Sequence, residues 1–245
     1  MPLLRIAIVA ASLLALAGGA QAQGHEAREP LRVLYVGNSL TATNDLPALV
    51  ATLARTIGSR PVEYRAITPG GVSLEDHWNA GAAPAAIASG AWDAVVLQQG
   101  PSALPESAIN LREWAVRFAA AARERGTTPA LLTVWPESYR RNALPAVIRS
   151  YRDAAVAARA KLLPAGAAWQ AAWRRNARLP LYGADGFHPS TLGTYLTAVV
   201  VLAGLTGDPP NARPFRLVKP GFRLDVTAAR GKLLAAAARD ARRAA

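Results

Sequence analysis

The stretch Leu31-Arg32-Val33-Leu34-Tyr35-Val36-Gly37-Asn38-Ser39-Leu40 decides how the rest of the chain is read. Six residues with one charge form a nearly continuous apolar run, the pattern of a strand covered on both faces. Gly37 ends the run, and Leu46–Ile57 follows with apolar residues at helical spacing. Pro47 suits a first helical turn, and Gly58 stands where that helix stops. A strand that passes through a short turn into a helix is the start of an α/β unit.

The unit repeats. The runs Val62–Ile67, Ala94–Leu97, Ala130–Val134 and Lys161–Leu163 read as further strands. Leu104–Arg125, Leu144–Ala160, Leu192–Leu205 and Val226–Ala241 carry apolar residues at three and four spacings and read as helices. Gly126 marks the end of the helix that starts near Leu104. Alternation of this kind implies a mostly parallel sheet with helices on both faces. The segment from Gly207 to Gly221, rich in Pro and Gly, is expected to wrap the surface before the last helix.

Composition narrows the chemistry. The chain has 245 residues and no cysteine, which excludes disulfides, thiolate metal sites and a Cys nucleophile. Its net charge is +12, but the arginines are spread over several helices and an Ala/Arg tail. No basic stripe interleaved with aromatics and no nucleic-acid motif accompanies them, so solvated helix faces are expected and a nucleic-acid partner is not.

The first residues read as a secretory signal peptide, residues 1–22. Arg5 precedes an apolar run from Ile6 to Ala17, and Ala20-Gln21-Ala22 is a small-x-small cleavage site. The run is shorter than the roughly 20 residues that span a bilayer, so no stable membrane anchor is expected. Residues 23–245 are expected to form one domain, exported to the periplasm or beyond. Its oligomeric state is open.

In open parallel sheets, ligands bind outside the carboxyl ends of the strands. Those positions hold Gly37-Asn38-Ser39, Gly70-Gly71, Gln98-Gln99-Gly100 and Trp135-Pro136-Glu137. Ser39 there lies near the start of a helix, where N–H groups favour developing negative charge. An N-cap serine occupies the same kind of position.

A serine nucleophile needs a base, and the base needs an orienting carboxylate. The chain has three histidines, His25, His77 and His188. Of these, His188 alone has an acid three residues before it, in Asp185-Gly186-Phe187-His188-Pro189. A metal site is not expected, since no further His, Asp or Glu clusters beside this pair. G-x-S-x-G, the nucleophile elbow of the α/β-hydrolases, does not occur.

Together, Gly37-Asn38-Ser39-Leu40 and Asp185–His188 resemble the first and last blocks of the SGNH (GDSL-like) hydrolase superfamily. The resemblance implies a three-layer α/β/α sandwich with a flavodoxin-like parallel sheet of about five strands. It also implies a catalytic triad of Ser39, Asp185 and His188 and a mechanism that needs no cofactor.

The family's second block supplies a glycine N–H to the oxyanion hole. Gly70-Gly71-Val72-Ser73 fits it, with Gly71 as the donor; a simple Gly-Gly turn is the alternative. The third block departs from the family's G-x-N-D. In its place stands Gln98-Gln99-Gly100-Pro101-Ser102-Ala103, similar to the QGES-type block of certain carbohydrate acetylesterases. Gln99, or else Gln98, is expected to offer the amide donor that Asn gives elsewhere.

Trp78 and Trp135 lie close to these loops and are expected to shape the substrate site, whereas Trp169 and Trp173, at helical spacing, belong to the core. The function expected is that of an exported serine esterase acting on short-chain or acetyl esters, of a small molecule or a glycan. The altered third block keeps open a different class, a carbohydrate-binding or glycan-modifying accessory protein on the same fold. A lipid-directed esterase would require a long apolar groove.

Overall fold

The computed structural model describes residues 29–210 and 214–245. The proposed signal peptide and His25 lie outside the described residues. In chain order the elements are β1 (Leu31–Val36), α1 (Ser39–Ala42), α2 (Leu46–Ile57), β2 (Val62–Ile67), α3 (Leu74–Asn79) and α4 (Ala82–Ser89). There follow β3 (Ala94–Leu97), α5 (Pro105–Glu124), β4 (Thr128–Leu132), α6 (Leu144–Ala158), β5 (Lys161–Leu163) and α7 (Ala165–Arg175). The chain ends with α8 (Thr191–Thr206), β6 (Phe215–Lys219), β7 (Phe222–Val226) and α9 (Ala228–Arg243).

Strands β1 to β5 form one sheet in the order β2-β1-β3-β4-β5, and every pairing in it is parallel. This is the flavodoxin-like order, an α/β/α sandwich as expected. Successive side chains of a strand face opposite ways. Val33 and Tyr35 therefore join the core under α2, α7, α8 and α9, while Leu34 and Val36 join the core under α3 to α6. Val96 and its neighbours Val95 and Leu97 divide in the same way.

Helix punctuation positions the loops. Asp45 caps α2 by accepting the Ala48 N–H, and Gly58 closes it in the left-handed conformation. Ser190 caps α8 by accepting from Gly193, a contribution of about 1 kcal/mol. Gly193 is obligatory there, because a Cβ would lie 2.2 Å from Leu181 O.

Two expectations are corrected. β4 begins at Thr128, not Ala130, because Thr128 N–H bonds to Asp93 O and carries the ladder back towards β3. The segment expected to wrap the surface contains β6, which pairs antiparallel with β7. Phe215, Phe222, Leu224 and Val226 on this hairpin are buried, and Phe215 packs on Tyr195 of α8 at 5.4 Å between ring centroids. Burial of that apolar face outweighs the Pro and Gly around it.

Candidate active site

The strand order reverses direction between β1 and β3, which is where a doubly wound sheet opens a crevice at its carboxyl edge. Ser39 emerges there as the first residue of α1. Asn38 caps this short helix by accepting the Leu40 N–H at 3.1 Å. The chain then kinks through Asn44 and Asp45, both left-handed with φ of 58° and 54°, a conformation these residue types tolerate best. The kink carries Asn44 Nδ2 to Pro189 O and to Thr194 Oγ1, both at 2.8 Å. Two ends of the sequence are thereby tied beside Ser39.

The second end is a tight loop organised by Asp185. Its Oδ1 accepts the N–H groups of Phe187 and His188, each at 3.0 Å, and its Oδ2 faces His188 Nδ1 at 2.5 Å. Gly186 adopts φ of 70° in the turn, and a Cβ there would meet Ser138 Oγ at 2.6 Å. Gly183 N–H closes the loop on His188 O at 2.7 Å. The His188 hydrogen bond, followed by the Phe187 N–H, holds the Asp185 carboxyl below its usual range. The ionised carboxylate can only accept, so Nδ1 carries the proton. His188 Nε2 is then free to accept from Ser39 Oγ, which lies 2.9 Å away.

Beside Ser39 an open cleft of about 580 Å³ is lined by Gly71, Val72, Gln99, Asn110 and Phe187 among others. Gly71 adopts φ of 74°, with no atom where a Cβ would project. Among the described residues, neither the Ser39 nor the Gly71 N–H bonds to a protein acceptor. Gln99 reaches the cleft with its amide oriented by its partners. Its Oε1 accepts the Leu74 N–H at 3.1 Å and its Nε2 donates to Ser102 Oγ at 3.1 Å. The second Nε2 hydrogen has only Asn110 Oδ1 at 3.5 Å, a distance at which little is gained.

Three expected site residues are placed elsewhere. Gln98 is 1% exposed, and both hydrogens of its Nε2 are taken by Asn38 Oδ1 and Gln99 O. It has no donor left for an oxyanion. Trp135 is 1% exposed, stacked on Trp169 and donating to Phe187 O; it offers no face to a sugar. Trp78 packs edge-on against Phe118 at 5.0 Å and beside Trp114, away from the cleft lining.

His77 and Asn44 carry positions that residue patterns did not assign. His77 is buried on α3 with Nε2 2.7 Å from Gly37 O, which makes Nε2–H the donor. Desolvation lowers its pKa. The only signal for His77 was its place after the glycine block; for Asn44 it was an Asn-Asp pair between two apolar segments. Among the described residues, no three His, Cys, Asp or Glu side chains gather as a metal site would require.

No protein-family model and no curated protein matches the sequence. Solved structures do match. A candidate SGNH hydrolase from Slackia heliotrinireducens is 28% identical, with a TM-score of 0.61 over 73% of this chain and 100% of the other. The fold is that of the SGNH hydrolase superfamily. Two structures of lower identity share the fold of this chain. A DUF4886 family protein from Bacteroides uniformis is 20% identical, with a TM-score of 0.70 over 87% of this chain and 95% of the other. An acetyl xylan esterase variant from Geobacillus stearothermophilus is 15% identical, with a TM-score of 0.56 over 71% and 94%.

Proposed function

We propose that this protein is an exported serine esterase that removes short acyl groups, acetyl above all, from a polar alcohol such as a carbohydrate. The observation that carries the reading is the unbroken line Ser39 Oγ, His188 Nε2, His188 Nδ1, Asp185 Oδ2 at the mouth of a cleft.

In this mechanism Ser39 Oγ attacks the acyl carbon while His188 Nε2 takes the hydroxyl proton. Asp185 holds the ring and stabilises the imidazolium without accepting its proton. The carbonyl oxygen becomes an oxyanion, held by the N–H groups of Ser39 and Gly71 and by Gln99 Nε2. When the tetrahedral species collapses, the bond to the alcohol breaks and His188 returns the proton to the departing oxygen. Water then attacks the acyl-Ser39 ester with His188 again as base, releasing the carboxylic acid and restoring Ser39.

The preference for a polar alcohol rests on the cleft wall, which carries Ser73, Asp76, Glu106, Ser107 and Asn110. The acetyl xylan esterase of like fold suits the same assignment. Export rests on the leader pattern; no helix among the described residues is long and apolar enough to cross a membrane.

The test is hydrolysis of nitrophenyl acetate by the purified protein and by Ser39→Ala. Loss of turnover in the variant is expected, and equal rates near neutral pH would remove the esterase reading. Acetate release from a panel of acetylated glycans then identifies the alcohol.

A further inference from the structure

Asn38 and Gln98 are buried carboxamides on loops that follow different strands, and they bond to each other twice. Gln98 Oε1 accepts the Asn38 backbone N–H at 3.0 Å, and Gln98 Nε2 donates to Asn38 Oδ1 at 3.0 Å. Backbone partners fix which end is which. An N–H can be met only by the oxygen, and the Gln99 carbonyl, 2.6 Å from Nε2, can be met only by the nitrogen. Thr41 Oγ1 donates to the second lone pair of Oε1 at 2.7 Å. All four hydrogen-bonding positions of the Gln98 amide are thus spent inside the protein.

The Asn38 side chain extends the connection to both backbone oxyanion donors. Its Oδ1 spans Ser39 to accept the Leu40 N–H at 3.1 Å. Its Nδ2 crosses to the loop after β2 and donates to Val72 O at 3.0 Å, one residue from Gly71. Gly37 leaves the space this requires: a Cβ there would lie 2.6 Å from Gln98 Oε1 and 2.8 Å from Thr41 Oγ1. From the far side, the buried His77 donates to Gly37 O.

We propose that Gln98 is a positioning residue: acting through Asn38, it holds the N–H groups of Ser39 and Gly71 aimed at one point in the cleft. This role rests on the esterase reading above. The physical reason is that the two N–H groups come from separate loops, and neither loop end is part of a continuing strand. The Asn38 amide is the bond that spans them, and Gln98 fixes that amide at its backbone and its side chain together.

The test compares Gln98→Met, Asn38→Ala, their double variant and Thr41→Val in the full chain, with nitrophenyl acetate as substrate. Gln98→Met should lower kcat about 10²-fold, the scale of a slightly misplaced reacting group, with KM close to that of the wild type. Asn38→Ala should do likewise, and the double variant should lose little more than either, because the two act as one unit. Losses that multiply in the double variant would show Gln98 acting independently of Asn38 and would overturn the proposal.

Thr41→Val removes only one contact of Gln98, so it serves if Gln98→Met does not fold. It should lower kcat several-fold at constant KM, and unchanged kcat in the folded protein would also overturn the proposal. Equal hydrolysis by wild type and Ser39→Ala is a separate outcome, which removes the esterase reading and this role with it. A wild type that depends on Ser39 while folded Gln98→Met matches it removes the role alone.

Discussion

The indole of Trp135 lies flat on that of Trp169, with ring centroids 3.5 Å apart and planes 10° from parallel. Its Nε1–H donates to Phe187 O at 3.1 Å, so the stack supports the loop that carries Asp185 and His188. Trp135→Phe keeps an aromatic ring but leaves the Phe187 carbonyl unpaired, which should cost about 1–3 kcal/mol. Trp135→Ala should cost about 3–5 kcal/mol, since it also empties the stack. Urea unfolding reads both. An unchanged midpoint with a raised KM would return Trp135 to the substrate site.

Asp185 holds its loop and its histidine with the same carboxylate, which gives Asp185→Asn a specific effect. Asn retains an oxygen for the Phe187 and His188 N–H groups, so the loop should persist and the melting temperature should change little. Its NH2 now faces His188 Nδ1 and favours the tautomer with the proton on Nε2, which cannot take the Ser39 proton. The expected loss in kcat is about 10⁴-fold, with KM nearly unchanged. Turnover near the wild-type rate would exclude Asp185 as the orienting acid.

Burial makes His77 a source of pH-dependent stability. Desolvation lowers its pKa from the ordinary 6.5, so the folded protein keeps it neutral where the unfolded chain would protonate it. The unfolded state then binds more protons as pH falls, and stability rises with pH. The contribution of a neutral His77 is present above pH 6.5 and is lost as pH drops towards the lowered value. Asp76 and Asp185, also lowered, act only from the carboxylate range near pH 4 downward. The urea midpoint should therefore fall between about pH 7 and 5 in the wild type. His77→Gln, with no titrating ring, should flatten that fall. A wild-type midpoint independent of pH across this window would contradict the assignment.

Most of the sheet was legible because the central strands β1 and β3 are covered on both faces and read as nearly unbroken apolar runs. The edge strands β2 and β5 are short runs bounded by turn residues. β1, β2, β3 and β5 have the bounds those runs imply, as does α2 between Asp45 and Gly58. The β6–β7 hairpin was not legible. Its strands are five residues each, and the apolar pattern of Val226 merges into the helix beyond. In the site, the positions of Ser39 and His188 follow from strand-end and spacing rules, whereas the environment of Trp135 depends on Trp169, a partner distant in sequence. The order of Gln98 and Gln99 was hidden for a related reason. Adjacent residues leaving a strand point opposite ways, and the register that pairs Val36 with Leu97 sets Gln98 beside Gly37 and leaves Gln99 for the cleft.

That register leads to a prediction for Gln99. Its Oε1 is anchored on Leu74 N–H, so Nε2 is the end that faces Ser102 and the cleft. Gln99→Leu preserves approximate volume and removes the donor. If Nε2 is the third oxyanion donor, kcat should fall about 10²–10³-fold with little change in KM. Ser102→Ala is the counterpart: it releases Nε2 from its hydroxyl partner without removing the donor, so kcat should stay much closer to that of the wild type. A fall in both variants of equal size would assign Gln99 to holding the loop through Ser102. An unaffected Gln99→Leu would leave the oxyanion to the Ser39 and Gly71 N–H groups alone.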